Sequence, residues 1–251
     1  MKSLVRIAFL LATTACASLA QVSQVAVINY SGFNLTAPIA PGSIASAYGG
    51  FGNVATTSTT TASPLPIALA GISIRVNNRT APLYFVSSGQ INFVVPNATE
   101  SGRQTVEVLN GATVIASGTV NVWEVFPALA SSDTTPTSQA IAQNQNFSIN
   151  SQASRAARGE IIQLYATGCG VTNPVVTDGL APTALSPATA RTEAFVANLP
   201  AVVQFAGAHP QFPGICQVNV TVPNQPFVTG QVPLFITVGG IASNPVSVWI
   251  H

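Results

Sequence analysis

Gly89-Gln90-Ile91-Asn92-Phe93-Val94-Val95-Pro96 and Cys216-Gln217-Val218-Asn219-Val220-Thr221-Val222-Pro223 share one pattern. Side chains alternate across an extended strand. Ile91, Phe93 and Val95 therefore fall on one face, and Gln90 and Asn92 on the other. Cys216, Val218, Val220 and Val222 repeat the apolar face, and Gln217 and Asn219 the polar one. Each is a half-buried strand of an antiparallel sheet, closed by a proline that cannot extend the ladder. The strand amides are expected to bond neighbouring backbone or a facing loop, since buried and half-buried amides take local partners.

The same grammar extends outward from these strands. Short apolar or alternating runs recur at Val25–Tyr30, Ile44–Tyr48, Ile72–Val76, Thr105–Leu109 and Thr119–Trp123. Pro-Gly, Asn-Asn, Ser-Gly, Asn-Gly and Gly-Gly turn signals separate them. No window carries sustained helical periodicity. Many short strands with Gly/Pro turns predict an all-β fold of immunoglobulin-like sandwiches. The second half of the chain also repeats the first. Pro41–Gly52 aligns with Arg158–Gly170, each a glycine turn, a strand containing Tyr48 or Tyr165, and a glycine-rich bend. Gly102–Gly111 aligns with Gly230–Gly240. The expected organisation is a signal peptide over 1–20, a first sandwich over 21–126, a connector over 127–157 and a second sandwich over 158–251. Within the connector, Ala140–Ala142 and Phe147–Ile149 flank Gln143-Asn144-Gln145-Asn146 as a small hairpin, with Asp133–Ser138 its loosest part. Thr56–Ser63 and Thr172–Thr192 are expected to be exposed, mobile loops.

The amino terminus reads as an export signal. Lys2 and Arg6 precede an apolar stretch too short to span a bilayer, and Ser18-Leu19-Ala20 is a small-x-small cleavage site. A lipoprotein signal acylated at Cys16 competes with this, but it needs an aliphatic residue where Thr13 stands. No later run is long enough for a membrane span. Charged residues make up 6% of the chain, against about 25% in ordinary domains. Lys2 is the only lysine. Six arginines remain after cleavage, too few and too scattered to neutralise a phosphate backbone or coat an anionic membrane. Cleavage leaves Cys169 and Cys216. An even pair in an exported chain reads as one disulfide, and two buried free thiols are the alternative. The bridge is expected to stabilise by about 4 kcal/mol on the chain-entropy account.

Chemistry is sparse. The histidines are His209 and His251, and no Gly-x-Ser-x-Gly elbow accompanies either. His209, in Ala208-His209-Pro210-Gln211, reads as a surface loop residue. The acids Glu100, Glu107, Glu124, Asp133, Glu160, Asp178 and Glu193 are scattered without a motif. Zinc or calcium spacing is absent, and so is a phosphate-binding loop, so no catalytic residue, cofactor or metal is expected. Candidate sugar-stacking aromatics are Phe51, Phe212, Phe227 and Trp249, although Trp123 and Trp249 end corresponding strands and read more simply as core or edge packing.

Four stretches carry a family resemblance: Pro41-Gly42-Ser43-Ile44, Ala81 to Pro96, Tyr165-Ala166-Thr167-Gly168-Cys169-Gly170, and Gln217 to Pro223. They resemble the uncharacterised C-terminal domain family of Solibacter-type acidobacterial secreted proteins, over nearly the whole chain after residue 20. The resemblance implies an extracellular bacterial protein with sandwiches distantly like the IPT/TIG class. It brings no catalytic residue and no ligand. Cys169 and Cys216 depart from the family pattern, where large apolar residues are expected, and two departures able to pair favour the disulfide. The expected role is a secreted, non-catalytic structural or adhesive protein. A glycan-binding module is the alternative and a hydrolase the remotest reading. The sequence names no partner: other surface proteins or polysaccharide are the candidates, and nucleic acid is not expected.

Overall fold

The computed structural model describes residues 22–29, 37–52, 54–58, 63–133, 135 and 138–251. The expected signal peptide, with Cys16, lies outside the described residues, as do the middle of the Thr-rich loop and parts of Asp133–Ser138. The described residues contain strands and no helix.

The first half contains β1 (Ser23–Asn29), β2 (Ile44–Gly49), β3 (Thr57–Ser58), β4 (Ile72–Val76), β5 (Arg79–Thr80), β6 (Leu83–Val86), β7 (Gln90–Val94), β8 (Gly102–Asn110) and β9 (Thr113–Val122). One sheet runs β3-β6-β7-β2-β1 and the other β1-β9-β8-β4-β5, with β1 belonging to both. Its residues Val25–Asn29 pair antiparallel with β2, and Ser23–Gln24 pair in parallel with β9. Gly118 makes this possible: a Cβ there would collide with the Val25 carbonyl. A first strand that switches sheets to run beside the last is an immunoglobulin-like sandwich arrangement. Ile72, Ile74 and Val76 point inward from β4, Ile91 and Phe93 from β7, and Val106 and Val108 from β8, all fully buried.

The second half contains β10 (Ala128–Leu129), β11 (Ala142–Gln143), β12 (Ile161–Thr167), β13 (Thr192–Val196), β14 (Leu199–Ala208), β15 (Cys216–Thr221), β16 (Gly230–Val238), β17 (Ile241–Ala242) and β18 (Val246–Ile250). β12 pairs with β15 as β2 pairs with β7. β14 corresponds to β5 and β6 joined. It leaves β13 at Ala201 and follows β15 through Ala208. The duplication reaches fine detail. The turns Asn77-Asn78 and Ala197-Asn198 both have positive φ, as a tight hairpin requires. The β-bulges fall at Leu83/Phe85 and Val203/Phe205, equivalent positions in the two repeats. Ile162, Leu164, Val218, Val220, Leu234 and Ile236 fill the second core.

Residues 127–157 contribute strands to the second half. β10 and β11 pair with β12, and Gln139 and Ala156 bridge in parallel to Ser247 and Ile250 of β18. The segment thus does for the second half what β1 does for the first. The expected hairpin is present, with Asn144 N donating to Ser148 O at 2.9 Å. The stretch expected to be a mobile loop, Thr172–Thr192, is instead largely tied down. Thr172 bridges Ala188, Pro187 bridges Gly207, and its middle docks on the first half. The reason is tertiary: its backbone groups find partners on another part of the chain.

Candidate functional site

The two halves meet on the outer face of β2 and β7. Ile44 and Val94, directly opposite each other, are buried there with Leu65, against Tyr84 and Ile215. Thr167, at the end of β12, is buried beneath this contact. Its hydroxyl accepts from Ile44 N at 2.8 Å and donates to Gly214 O at 2.9 Å. Tyr84, the bulge residue of β6, donates its hydroxyl to Pro213 O at 2.7 Å, and burial pushes its pKa up to about 12. From the other side, Asp178 accepts from Asn97 N at 2.8 Å, Asn97 Nδ2 donates to Val176 O at 2.7 Å, and Leu65 N donates to Gly179 O.

Cys169 and Cys216 form the expected disulfide, with Cα atoms 6.2 Å apart. The bridge joins the ends of paired strands β12 and β15, beside the Gly168 and Gly214 bends that touch the first half. A Cβ at Gly168, whose φ is +78°, would collide with the Phe126 carbonyl, and one at Gly214 would lie 2.8 Å from Ile44 Cγ1.

His209 is buried at 8% exposure, which corrects the expectation of a surface loop residue. Its Nδ1 accepts from Gln211 N at 3.0 Å and Phe212 N at 3.2 Å, so the ring proton sits on Nε2 in the neutral form. The imidazole lies between Tyr165 and Phe212, and desolvation lowers its pKa below the usual histidine range. It caps a turn, as an aspartate would, while adding aromatic surface. The cavity beside it, lined by His209, Asp178, Asn97 and the disulfide, holds about 50 Å³. That admits a water or two, far short of the several hundred Å³ of a typical small-molecule site.

The strand amides form side-chain ladders on the outer faces, where backbone or loop partners were expected. Asn92 Oδ1 accepts from Gln90 Nε2 at 2.8 Å and from Ser46 Oγ at 2.9 Å. Asn219 Oδ1 accepts from Gln217 Nε2 at 2.9 Å, which also reaches Gln163 Oε1. Tyr165 donates to Gln143 Oε1 at 2.7 Å. Backbone partners are already consumed by the β2–β7 and β12–β15 ladders, so the amides turn to one another.

Four of the remaining acids are held in local bonds. Glu107 pairs with Arg75 at 2.9 Å and Glu193 with Arg191 at 2.7 Å. Glu160 accepts from Ala157 N. Asp133 accepts from Thr135 N and Oγ1, and these bonds hold its carboxyl below the usual range. Among the described residues, no group of three His, Cys, Asp or Glu side chains converges as a metal site would require. Among the described residues, no helix is long and apolar enough to cross a membrane.

Among the described residues, the most exposed aromatic surface is the hairpin that follows β11. Phe147 is 71% exposed, with Ile149 at 57% and Ile141 at 46% on the same hairpin. Phe147 has φ +65°, a left-handed conformation that such a hairpin normally gives to glycine or asparagine. Polar bonds hold it there. Asn146 Oδ1 accepts from Ser148 N and Oγ, Asn144 Nδ2 donates to Ser148 Oγ and Ser154 O, and Asn150 Nδ2 donates to Asn144 Oδ1 at 2.8 Å. Sequence reasoning found the hairpin and missed its tip. The available signal was a bulky ring at the turn position where glycine belongs. Of the aromatics considered for sugars, Phe51 is buried at 2% and drops out. Trp249 is half-buried with the Arg155 guanidinium over its ring. Phe212 leans on His209 and Trp123 on Phe126, while Phe227 is 65% exposed. Among the described residues, no ring contact links one exposed aromatic to another.

No family model matches the chain, and no curated protein matches it. Several solved structures show a distant likeness to the chain. A Bacteroides ovatus mixed-linkage glucan utilization locus protein, SGBP-B, solved with a mixed-linkage heptasaccharide, is 10% identical over 85% of this chain at a TM-score of 0.33. The chain spans 43% of that protein. The Escherichia coli adhesin FdeC is 13% identical over 92% of this chain and 65% of its own, at 0.25. The tandem Ig repeats of Dlar are 11% identical over 92% and 95%, at 0.24. These scores are low, and the immunoglobulin-like assignment stands on the strand pairing itself.

Proposed function

We propose that this is a secreted, non-catalytic adhesive and structural protein, and that the hairpin carrying Phe147 is its contact point. One observation carries the reading: a bulky aromatic is held exposed, in a backbone conformation that costs on the order of 1 kcal/mol or more, by a network of asparagine and serine bonds. Packing inside the protein gains nothing from that ring, so its use lies with a partner. Ile141 and Ile149 widen the patch, in the way that apolar clusters on exported proteins mark contact surfaces. The engagement of His209 and most of the acids in structural bonds supports the non-catalytic half of the reading. The disulfide supports export. Kinship with the Solibacter-type secreted family is part of the same proposal, and polysaccharide is the alternative partner.

Phe147→Asn tests it. Asparagine tolerates the left-handed conformation, so the variant should be about 1 kcal/mol more stable while adsorbing less to the cells that produce the protein. Undiminished adsorption would discard the hairpin as the contact. Micromolar binding to a glycan array would favour the polysaccharide alternative.

A further inference from the structure

In the first half the strand by which the chain enters runs in parallel beside the strand by which it leaves, and in the second half the segment that follows β10 does the same. In the first half Ser23 and Gln24 pair with Ala116 and Ser117. Beyond them, Ile39 N donates to Asn121 O and Trp123 N to Ile39 O, both at 3.0 Å. In the second half Ala140 N donates to Ser247 O and Ser247 N to Ser138 O, both at 2.8 Å, and Ala156 N donates to Trp249 O and His251 N to Ala156 O, both at 3.0 Å. The start of one parallel strand and the end of its partner lie at opposite ends of the ladder. Tension between them slides the strands past each other and loads every rung together. Strands whose loaded ends lie at the same end of the ladder open one rung at a time, against a lower barrier, and forced unfolding is governed by that barrier.

We propose that the chain bears tension along its length, each half acting as a shear clamp and the two standing in series. Little slack separates the clamps. The chain leaves the first at Trp123 and is caught at Phe126, whose N–H donates to Gly168 O, and then at Ala128–Leu129 by β12. The disulfide lies inside the second clamp. It leaves the clamp's rungs to carry the load and limits extension after they break, because the 47-residue separation between Cys169 and Cys216 stays closed. Load-bearing deepens the structural side of the function proposed above and rests on it.

Single-molecule force spectroscopy on the full chain between two handle proteins tests this. Two rupture events are expected, one for each clamp. Moving one handle to a peptide inserted after Ala112, in the exposed β8–β9 turn, brings both pulling points to the same end of the β1–β9 ladder. The first-half rupture force should then fall at least about threefold. Equal forces in the two geometries would overturn the clamp. His251→Pro removes the amide hydrogen donated to Ala156 O, so it should lower the second rupture force and spare the first. A second force that does not change would overturn that clamp. Reduction of the disulfide should lengthen the second extension by about 160 Å, at about 3.5 Å per residue. An unchanged length would place the bridge outside the loaded path, against the proposal. The two readings fail separately. Strong clamps with micromolar glycan binding would sink the adhesive reading alone, and equal forces with no glycan signal would sink the clamp alone.

Discussion

Thr167 shows what one side chain contributes at the junction. Its hydroxyl is buried and makes both of its bonds to backbone, one of them in the other half. Thr167→Val keeps the shape and strands a donor and an acceptor. It should cost about 3 kcal/mol, read as a lower urea midpoint at unchanged slope. His209 makes stability depend on pH. Burial lowers its folded pKa, so as pH falls the unfolded chain takes up the proton first. The contribution is whole above the ordinary imidazole pKa and drains away as pH falls through it toward the folded value. Wild type should lose stability as pH falls below the ordinary imidazole pKa of about 6.5, and His209→Gln should flatten that dependence. An identical slope in the variant would remove His209 as its source. Neither behaviour was legible in the sequence. Thr167 is a strand-ending threonine like many others, and His209 sits in a proline-flanked loop that looks solvated until Tyr165 and Phe212 close over it.

At the scale of elements, the Gln-x-Asn strands were legible because their alternation has the period of the pleat. Their burial follows it: Ile91 and Phe93 inside, Gln90 and Asn92 half-exposed. The short β6 and the early part of β9 were not legible, since the bulge at Leu83/Phe85 and the smaller register shift at Val108/Leu109 break alternation. The glycine bends were legible as turns but not as contacts. Gly168 combines a positive φ with close approach to Phe126, so Gly168→Ala should destabilise by more than about 3 kcal/mol and weaken the junction with it. A thermal midpoint within a degree or so of wild type would refute the contact.

For the whole molecule, the junction predicts how the halves unfold. Ile44, Val94 and Leu65 are buried at the junction against Ile215 of the second half, so losing either half exposes apolar surface and strands bonds on the other. Calorimetry should show one cooperative transition. Two resolved transitions, with Tyr84→Phe leaving both unmoved, would show the halves to be thermally independent. What the sequence by itself determined is the class, the duplication and the cysteine pair, because alternation, turn chemistry and cysteine count are written residue by residue. Only the tertiary structure decided which surface is free. Val94 stands where the repeat has Thr221, on the outward row with Gln90 and Asn92. An apolar residue there reads as an ordinary strand position until the loop at 171–188 and the Gly214 bend are seen to close over it. That contact joins residues far apart in the chain, and no local pattern encodes it.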